Sequence, residues 1–267
     1  MRLALGLEYC GCNFTGWQSQ PDGRGLQDAL ERALAKIADG RVGTIAAGRT
    51  DAGVHASMQI VHFDADADRP ETAWVRGVNA NLPDDVAVLW AQPVHAEFHA
   101  RFDAQQRHYT YLLLTRAVRP ALFAGRIGWY HRSLDVAAMR DGAVALVGTH
   151  DFSAFRAAEC QAKSPVRTLS DVSIAPAGEV LRFEFCANAY LHHMIRNIVG
   201  SLVYVGAGKH PPSWIGELLA GRDRTRAAPT FAPDGLYFTG VEYDAKWQLP
   251  STCRPVELPL ASHACQR

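Results

Sequence analysis

The chain opens on an alternation. Between Arg2 and Tyr9, Leu3, Leu5 and Leu7 take every second position, the period of a strand with one apolar face. A turn-rich stretch from Gly11 to Gly25 gives way to helical spacing, with Leu26, Leu30, Leu34 and Ile37 on one side and Gly40 as the stop. Two strand-like segments follow, Val42 to Ala47 and Met58 to Phe63, joined by the loop Gly48-Arg49-Thr50-Asp51-Ala52-Gly53-Val54-His55. Pro70 favours the first turn of a second helix that ends before Pro83, and Val86 to Trp90 reads as a strand. The order is βαββαβ.

The remainder repeats that order. A strand at His108 to Leu114 is followed by a shorter one at Ile127 to His131 and a helix from Asp135 to Val147. Strands at Thr168 to Ile174 and Val180 to Cys186 lead to a long helix from Tyr190, a short one from Trp214 to Leu219, and a strand from Leu236 to Tyr243. The doubled pattern predicts an α+β protein of two ferredoxin-like halves, which share one extended antiparallel sheet with helices on one face. Expected boundaries are 1–104 for the half with the Asp51 loop, 105–245 for the second half and 246–267 for a polar tail that buries little.

Composition narrows the class. The 267 residues suffice for two ordinary domains. No stretch approaches the roughly 20 apolar residues of a membrane span, and Glu8 interrupts the apolar start, so a cytoplasmic protein is expected. The six cysteines are scattered, and only Cys10 and Cys12 are close, without a second ligand pair at zinc spacing. His192 and His193 are neighbours in a segment read as helix, where they point about 100° apart. No metal centre is therefore expected.

Formal charge balances to zero, an unusual value for a protein that grips nucleic acid. The charges are segregated, however: acids gather from Asp64 to Asp68, and arginines recur at Arg101, Arg107, Arg116, Arg119, Arg126 and Arg132. Such a run fits a solvated face as well as a basic groove.

The most informative segment is the loop around Asp51, a carboxylate beside Arg49 in a glycine-flanked connection where backbone can approach a ligand closely. By itself it also fits a hairpin whose aspartate caps a turn. The run Gly48 to His55 resembles the signature of the TruA family of tRNA pseudouridine synthases. Similar blocks are Glu8-Tyr9 with Phe14 and Gly16-Trp17-Gln18, Gly77-Val78-Asn79-Ala80-Asn81-Leu82-Pro83, Phe98-His99-Ala100-Arg101, and Arg107-x-Tyr109-x-Tyr111. Asp151-Phe152, His192-His193-Met194-Ile195-Arg196-Asn197 and Gly235-Leu236-Tyr237 extend the likeness to about Tyr243. Two departures stand out: Cys10 where the family usually has aspartate, and His108 where a second basic residue often precedes the tyrosine.

The resemblance implies a pseudouridine synthase fold, a tRNA partner, a homodimer and no cofactor. Its reaction isomerises uridine in the anticodon stem-loop, at tRNA positions 38, 39 and 40, after the base is flipped out of the stack. It makes Asp51 the catalytic carboxylate and sets Arg196 against it. Arg49 then holds a phosphate or fills the vacated stack, and Leu236 closes one side of the base pocket. Tyr109 stacks on the target base or removes the C5 proton after rejoining, with stacking favoured by a phenol pKa of about 10. Whether Asp51 adds to the base or reacts at the sugar stays open. Phe98-His99-Ala100-Arg101-Phe102 interleaves aromatic and basic groups as RNA surfaces do, although an interdomain linker reads the same way. Phe98, His99, Arg101 and Arg107 are thus candidate RNA contacts, with the two arginines on phosphate. Two rival classes remain: a catalytically silent RNA binder, and a phosphatase or glycosidase, which would want a second acid that the loop lacks.

Overall fold

The computed structural model describes residues 1–257. In the first half, β1 (Arg2–Tyr9) lies between β3 (His55–Asp64) and β4 (Val86–Val94), antiparallel to both, and the short β2 (Ile45–Ala46) pairs with β3. The strand order is thus β4-β1-β3-β2. The second half repeats it with β5 (Gln106–Thr115), β8 (Val166–Ala177), β9 (Val180–Ala187) and β10 (Leu236–Glu242), in the order β10-β5-β9-β8. Two short additions, β6 (Gly128–Tyr130) and β7 (Gly148–Asp151), pair with β5 and β8.

The halves join into one sheet because β3 changes neighbours along its length. Its far end pairs with β2, at His62 and Val61, while its start pairs in parallel with β10, where His55 faces Tyr237 and Ala56 faces Phe238. The chain between β2 and β3, which is the Asp51 loop, leaves the sheet at this seam. One hydrophobic core runs through both halves, from Leu3 and Phe63 to Phe183 and Leu202.

Helix α1 (Leu26–Ala38) buries Leu26, Leu30 and Leu34 as its spacing predicts. The second helical segment, expected after Pro70, contains a widened π-type turn at Ala73–Gly77, where fully buried Trp74 meets Phe63 edge-on at 5.4 Å. In the second half α2 (Val136–Ala143) and α3 (Met194–Gly206) pack together, and α4 (Trp214–Gly221) follows.

Several expected elements are shifted, each for a local reason. The strand read from Val42 begins only at Ile45, because the Thr44 amide and hydroxyl are both taken by Glu31 of α1, at 2.7 and 2.9 Å. Helix α2 stops at Ala143, short of Val147, so that β7 pairs with β8 through a Thr149–Thr168 hydroxyl contact at 2.8 Å. Helix α3 starts at Met194 rather than Tyr190, since His193 takes a left-handed φ of 60°. The segment read as a tail runs back along the sheet as far as it is described. Trp90 donates to the Ser251 carbonyl at 3.1 Å, Val241 to that of Thr252 at 3.0 Å, and Val256 is buried. The last ten residues of that segment, 258–267, lie outside the described residues.

Candidate active site

The loop between β2 and β3 is clamped at nearly every residue except the two whose side chains project from it. Gln59, fully buried on β3, donates to the Gly48 carbonyl at 2.7 Å, and Trp17 donates its amide to the Thr50 carbonyl at 2.9 Å. Tyr9 and Thr50 share a buried hydroxyl contact at 2.9 Å. The Val54 amide closes a turn on the Asp51 carbonyl at 3.1 Å, and Gly53 supplies the φ of 78° that the turn requires. Arg49 and Asp51 are left free to face an open cleft of about 1270 Å³.

Three nitrogen-bearing side chains from α3 and the residues just ahead of it meet Asp51, and Arg196 is the fixed cation among them. Arg196 donates from Nη1 to Asp51 Oδ2 at 3.1 Å and from Nε to the Phe231 carbonyl at 2.8 Å, so the guanidinium is held at two points. His192 Nε2 lies 3.4 Å from Oδ1, and His193 Nε2 lies 3.5 Å from Oδ2. The expectation that these histidines diverge on a helix is overturned. They precede it, the left-handed turn at His193 brings both rings to one carboxylate, and the ring centroids sit 3.9 Å apart. Burial, outweighing the attraction of Asp51, lowers the His193 pKa below its ordinary value, with His192 and Arg196 adding repulsion.

The donors of Asp51, His192 and His193 lie within 4.8 Å of one another, a spacing that a metal ion can use. A cation there would have to sit against the Arg196 guanidinium, which already neutralises the carboxylate. The donor set therefore fits an ion pair better than a metal site. Among the described residues, the other such groupings are Cys10, Cys12 and His55, and His108, Cys186 and Glu242.

Tyr109 and Leu236 form the apolar wall of the cleft and are 8% and 5% exposed. Tyr109 is wedged edge-on against Tyr190 at 5.0 Å and against the tilted ring of Phe238 at 4.8 Å, which fixes its ring plane. Burial, then the charges of Tyr9 and Asp51, raise its phenol far above the ordinary value. A neutral ring with a locked orientation is what this position offers. A Cβ at Gly48 would meet the Phe238 ring at 3.7 Å and the Tyr109 hydroxyl at 3.9 Å, so this backbone lies in contact distance of the wall.

The expected RNA contacts divide sharply. Phe98 is fully buried, with Tyr243 and Trp247 edge-on at 5.4 and 5.3 Å, so it belongs to the core and not to a surface. Arg107, read as a phosphate contact, spends all five N–H groups on carbonyls: two on Ala47 and one each on Arg101, Ala104 and Asn188. It ties the start of β5 to the base of the Asp51 loop and has no donor left for a phosphate. Arg49, Arg101 and His99 do line the cleft.

Three groups outside the expected site residues belong with the site. Phe102 is 77% exposed and stacks on His99 at 4.2 Å, with the Arg101 guanidinium 5.8 Å from its ring. The two histidines beside Asp51 and the clamping pair Tyr9 and Gln59 are the others. The motif holds both phenylalanines, but the short irregular turn between them has no period to tell which one is buried.

Comparison with known proteins supplies the family. The family model described as tRNA pseudouridine synthase matches residues 7–103 and 143–244, which carry Asp51 and Arg196. A tRNA pseudouridine synthase A of Chromobacterium violaceum is 61% identical over 97% of this chain and 100% of its own length. One of Methylobacillus flagellatus is 58% identical over 98% of this chain and all of its own, and one of Thiobacillus denitrificans is 59% identical over 94% and 97%. Among solved structures, one titled as a Cbf5-Nop10-Gar1 complex matches 88% of this chain and 48% of that chain, at 13% identity and a TM-score of 0.35. The fold assignment rests instead on the doubled strand order. With the doubled sheet, the clamped Asp51 loop and full-length relatives in agreement, the chain belongs to the tRNA pseudouridine synthase family.

Proposed function

We propose that the protein isomerises uridine to pseudouridine in tRNA, with Asp51 as the catalytic carboxylate and the anticodon stem-loop, at positions 38, 39 and 40, as the target. The observation that carries this reading is the Asp51 carboxylate at the floor of an open cleft, held by Arg196 and faced by Tyr109 and Leu236.

Isomerisation breaks the bond from N1 to C1′, turns the base and joins C5 to C1′, so it needs no external group. The target nucleotide must first leave its stack, at a cost of a few kcal/mol. Arg49 offsets that cost by holding a phosphate or occupying the vacated space. Its exposed guanidinium faces the cleft and makes no hydrogen bond or ion pair among the described residues. Tyr109 receives the flipped base on its ring, and Leu236 closes the opposite side. Arg196 keeps Asp51 ionised and fixes its rotamer, the condition for addition to the base or reaction at the sugar. Arg101 and His99, with Phe102, lie at the cleft where the stem would approach.

The protein acts in the cytoplasm as a homodimer in this proposal, and tRNA is its partner. Membership of the family supports that reading. No helix among the described residues is long and apolar enough to cross a membrane.

The test is an unmodified tRNA transcript tritiated at uridine C5, because joining C5 to the sugar must expel that hydrogen. Tritium release by the native protein and none by Asp51→Ala, with tRNA binding retained, is the expected result. Binding without release across several tRNAs with anticodon-arm uridines would leave only an RNA-binding role.

A further inference from the structure

We propose that Cys10 and Cys12 form a peroxide-sensitive dithiol, whose closure to a disulfide bears on the loop that carries Asp51. The two sulfurs are separated by one residue and their Sγ atoms lie 3.3 Å apart. A disulfide bond of ~2.05 Å is within reach by side-chain rotation and a small backbone shift. Cys12 is exposed, and Cys10 opens on a cavity of about 400 Å³ that His55, Arg126 and Tyr237 also line. A small oxidant therefore reaches both.

The two thiols are not equivalent. The His55 ring, followed by the Cys12 amide, draws the Cys10 thiol below its ordinary range, whereas burial and Cys10 itself hold Cys12 above it. One ready thiolate beside one protonated thiol suits a two-step oxidation. Metal ligation is the competing use of the cluster. His55, however, accepts the Gly11 amide on Nδ1 at 3.1 Å and sets Nε2 3.1 Å from the Asp234 carbonyl. Ligation by the ring would sacrifice one of those bonds, whereas a bond between the two sulfurs displaces neither.

The chemistry balances. The Cys10 thiolate attacks one oxygen of hydrogen peroxide, giving a sulfenic acid and hydroxide, which takes up the proton that Cys10 had released. The Cys12 sulfur then attacks the Cys10 sulfur, and the sulfenic oxygen leaves as water with the Cys12 proton. The two sulfurs supply the two electrons that reduce the peroxide.

Gly11 transmits the change. It packs so closely on the Asp51 loop that a Cβ would lie 2.1 Å from the Val54 carbonyl oxygen, and its amide holds His55. Closing the ring around Gly11 therefore disturbs Val54 and His55, the end of that loop.

Peroxide treatment of the full chain, alkylation and peptide mass mapping test the site. The expected result is a Cys10–Cys12 bond that forms about tenfold faster than Cys160, Cys186 or Cys253 oxidises, and that a dithiol reductant reverses. In Cys12→Ser the sulfenic acid persists at Cys10 and is trapped by a cyclic dione; in Cys10→Ser, Cys12 reacts no faster than the others. Oxidation at one rate across these cysteines, or alkylation of both thiols after peroxide, overturns the proposal. Amide exchange at Val54 and His55 is expected to quicken about tenfold in the oxidised protein. Unchanged exchange with the bond formed overturns the coupling, and neither readout depends on enzymatic activity.

Discussion

Arg196 gives one nitrogen to Asp51 Oδ2 at 3.1 Å and another to the Phe231 carbonyl at 2.8 Å, so its position relative to the carboxylate is set by the backbone at Phe231. A lysine carries the same charge but cannot make both bonds at that spacing. Arg196→Lys is therefore expected to lower tritium release on the order of 10²- to 10³-fold while tRNA binding is retained. Turnover equal to the native rate would remove Arg196 from the catalytic constellation.

Arg107 and Arg101 should separate cleanly. Arg107→Ala removes five hydrogen bonds to carbonyls and is expected to destabilise the fold by about 2 to 4 kcal/mol in urea unfolding, without changing the salt dependence of tRNA binding. Arg101→Ala should leave stability alone and reduce the slope of log affinity against log salt by about one. The opposite pattern would return Arg107 to the RNA surface.

The two phenylalanines of the same motif differ in the same way. Phe98→Ala opens a cavity in the core, at a cost of about 3 to 5 kcal/mol. Phe102→Ala removes an exposed ring and is expected to weaken tRNA binding by about 1 to 3 kcal/mol with unfolding unchanged. Filter binding and thermal melting of the two variants, side by side, decide it.

Acid should loosen the joint between β3 and the His99 turn. His62 is buried and accepts the Ala100 amide on Nδ1 at 3.1 Å; burial, followed by Arg2 and His99, lowers its pKa from 6.5 to about 4. The unfolded chain thus takes up the proton first as pH falls. Stability contributed by the neutral ring is fully present above 6.5 and is lost progressively down to about 4, by roughly 3 kcal/mol. In His62→Asn the amide oxygen stands in for Nδ1 without titrating, so the variant's unfolding midpoint should vary less over that range.

Much of the architecture was legible from periodicity. Leu26, Leu30 and Leu34 announced α1, and the repeated βαββαβ order announced the two halves. Alternation misjudged burial in β1, where Leu3, Ala4, Leu5 and Leu7 are all buried. A strand pattern reports its own two faces and not what later segments lay over them, and here Trp90 fills the space at Gly6 while its indole bonds to Ser251.

The sequence by itself determined the elements, the Asp51 loop and the family to which its motifs belong, because local spacing and short-range turn chemistry are written in consecutive residues. Only the tertiary structure decided that His192 and His193 converge on Asp51, that Arg107 is a clamp and that Phe102 rather than Phe98 meets solvent. Those outcomes depend on a left-handed φ at His193 and on contacts between residues far apart in the chain, such as Arg196 with Asp51. Partners that far apart are chosen by how the sheet closes at the seam of β3 and β10, which no local pattern encodes.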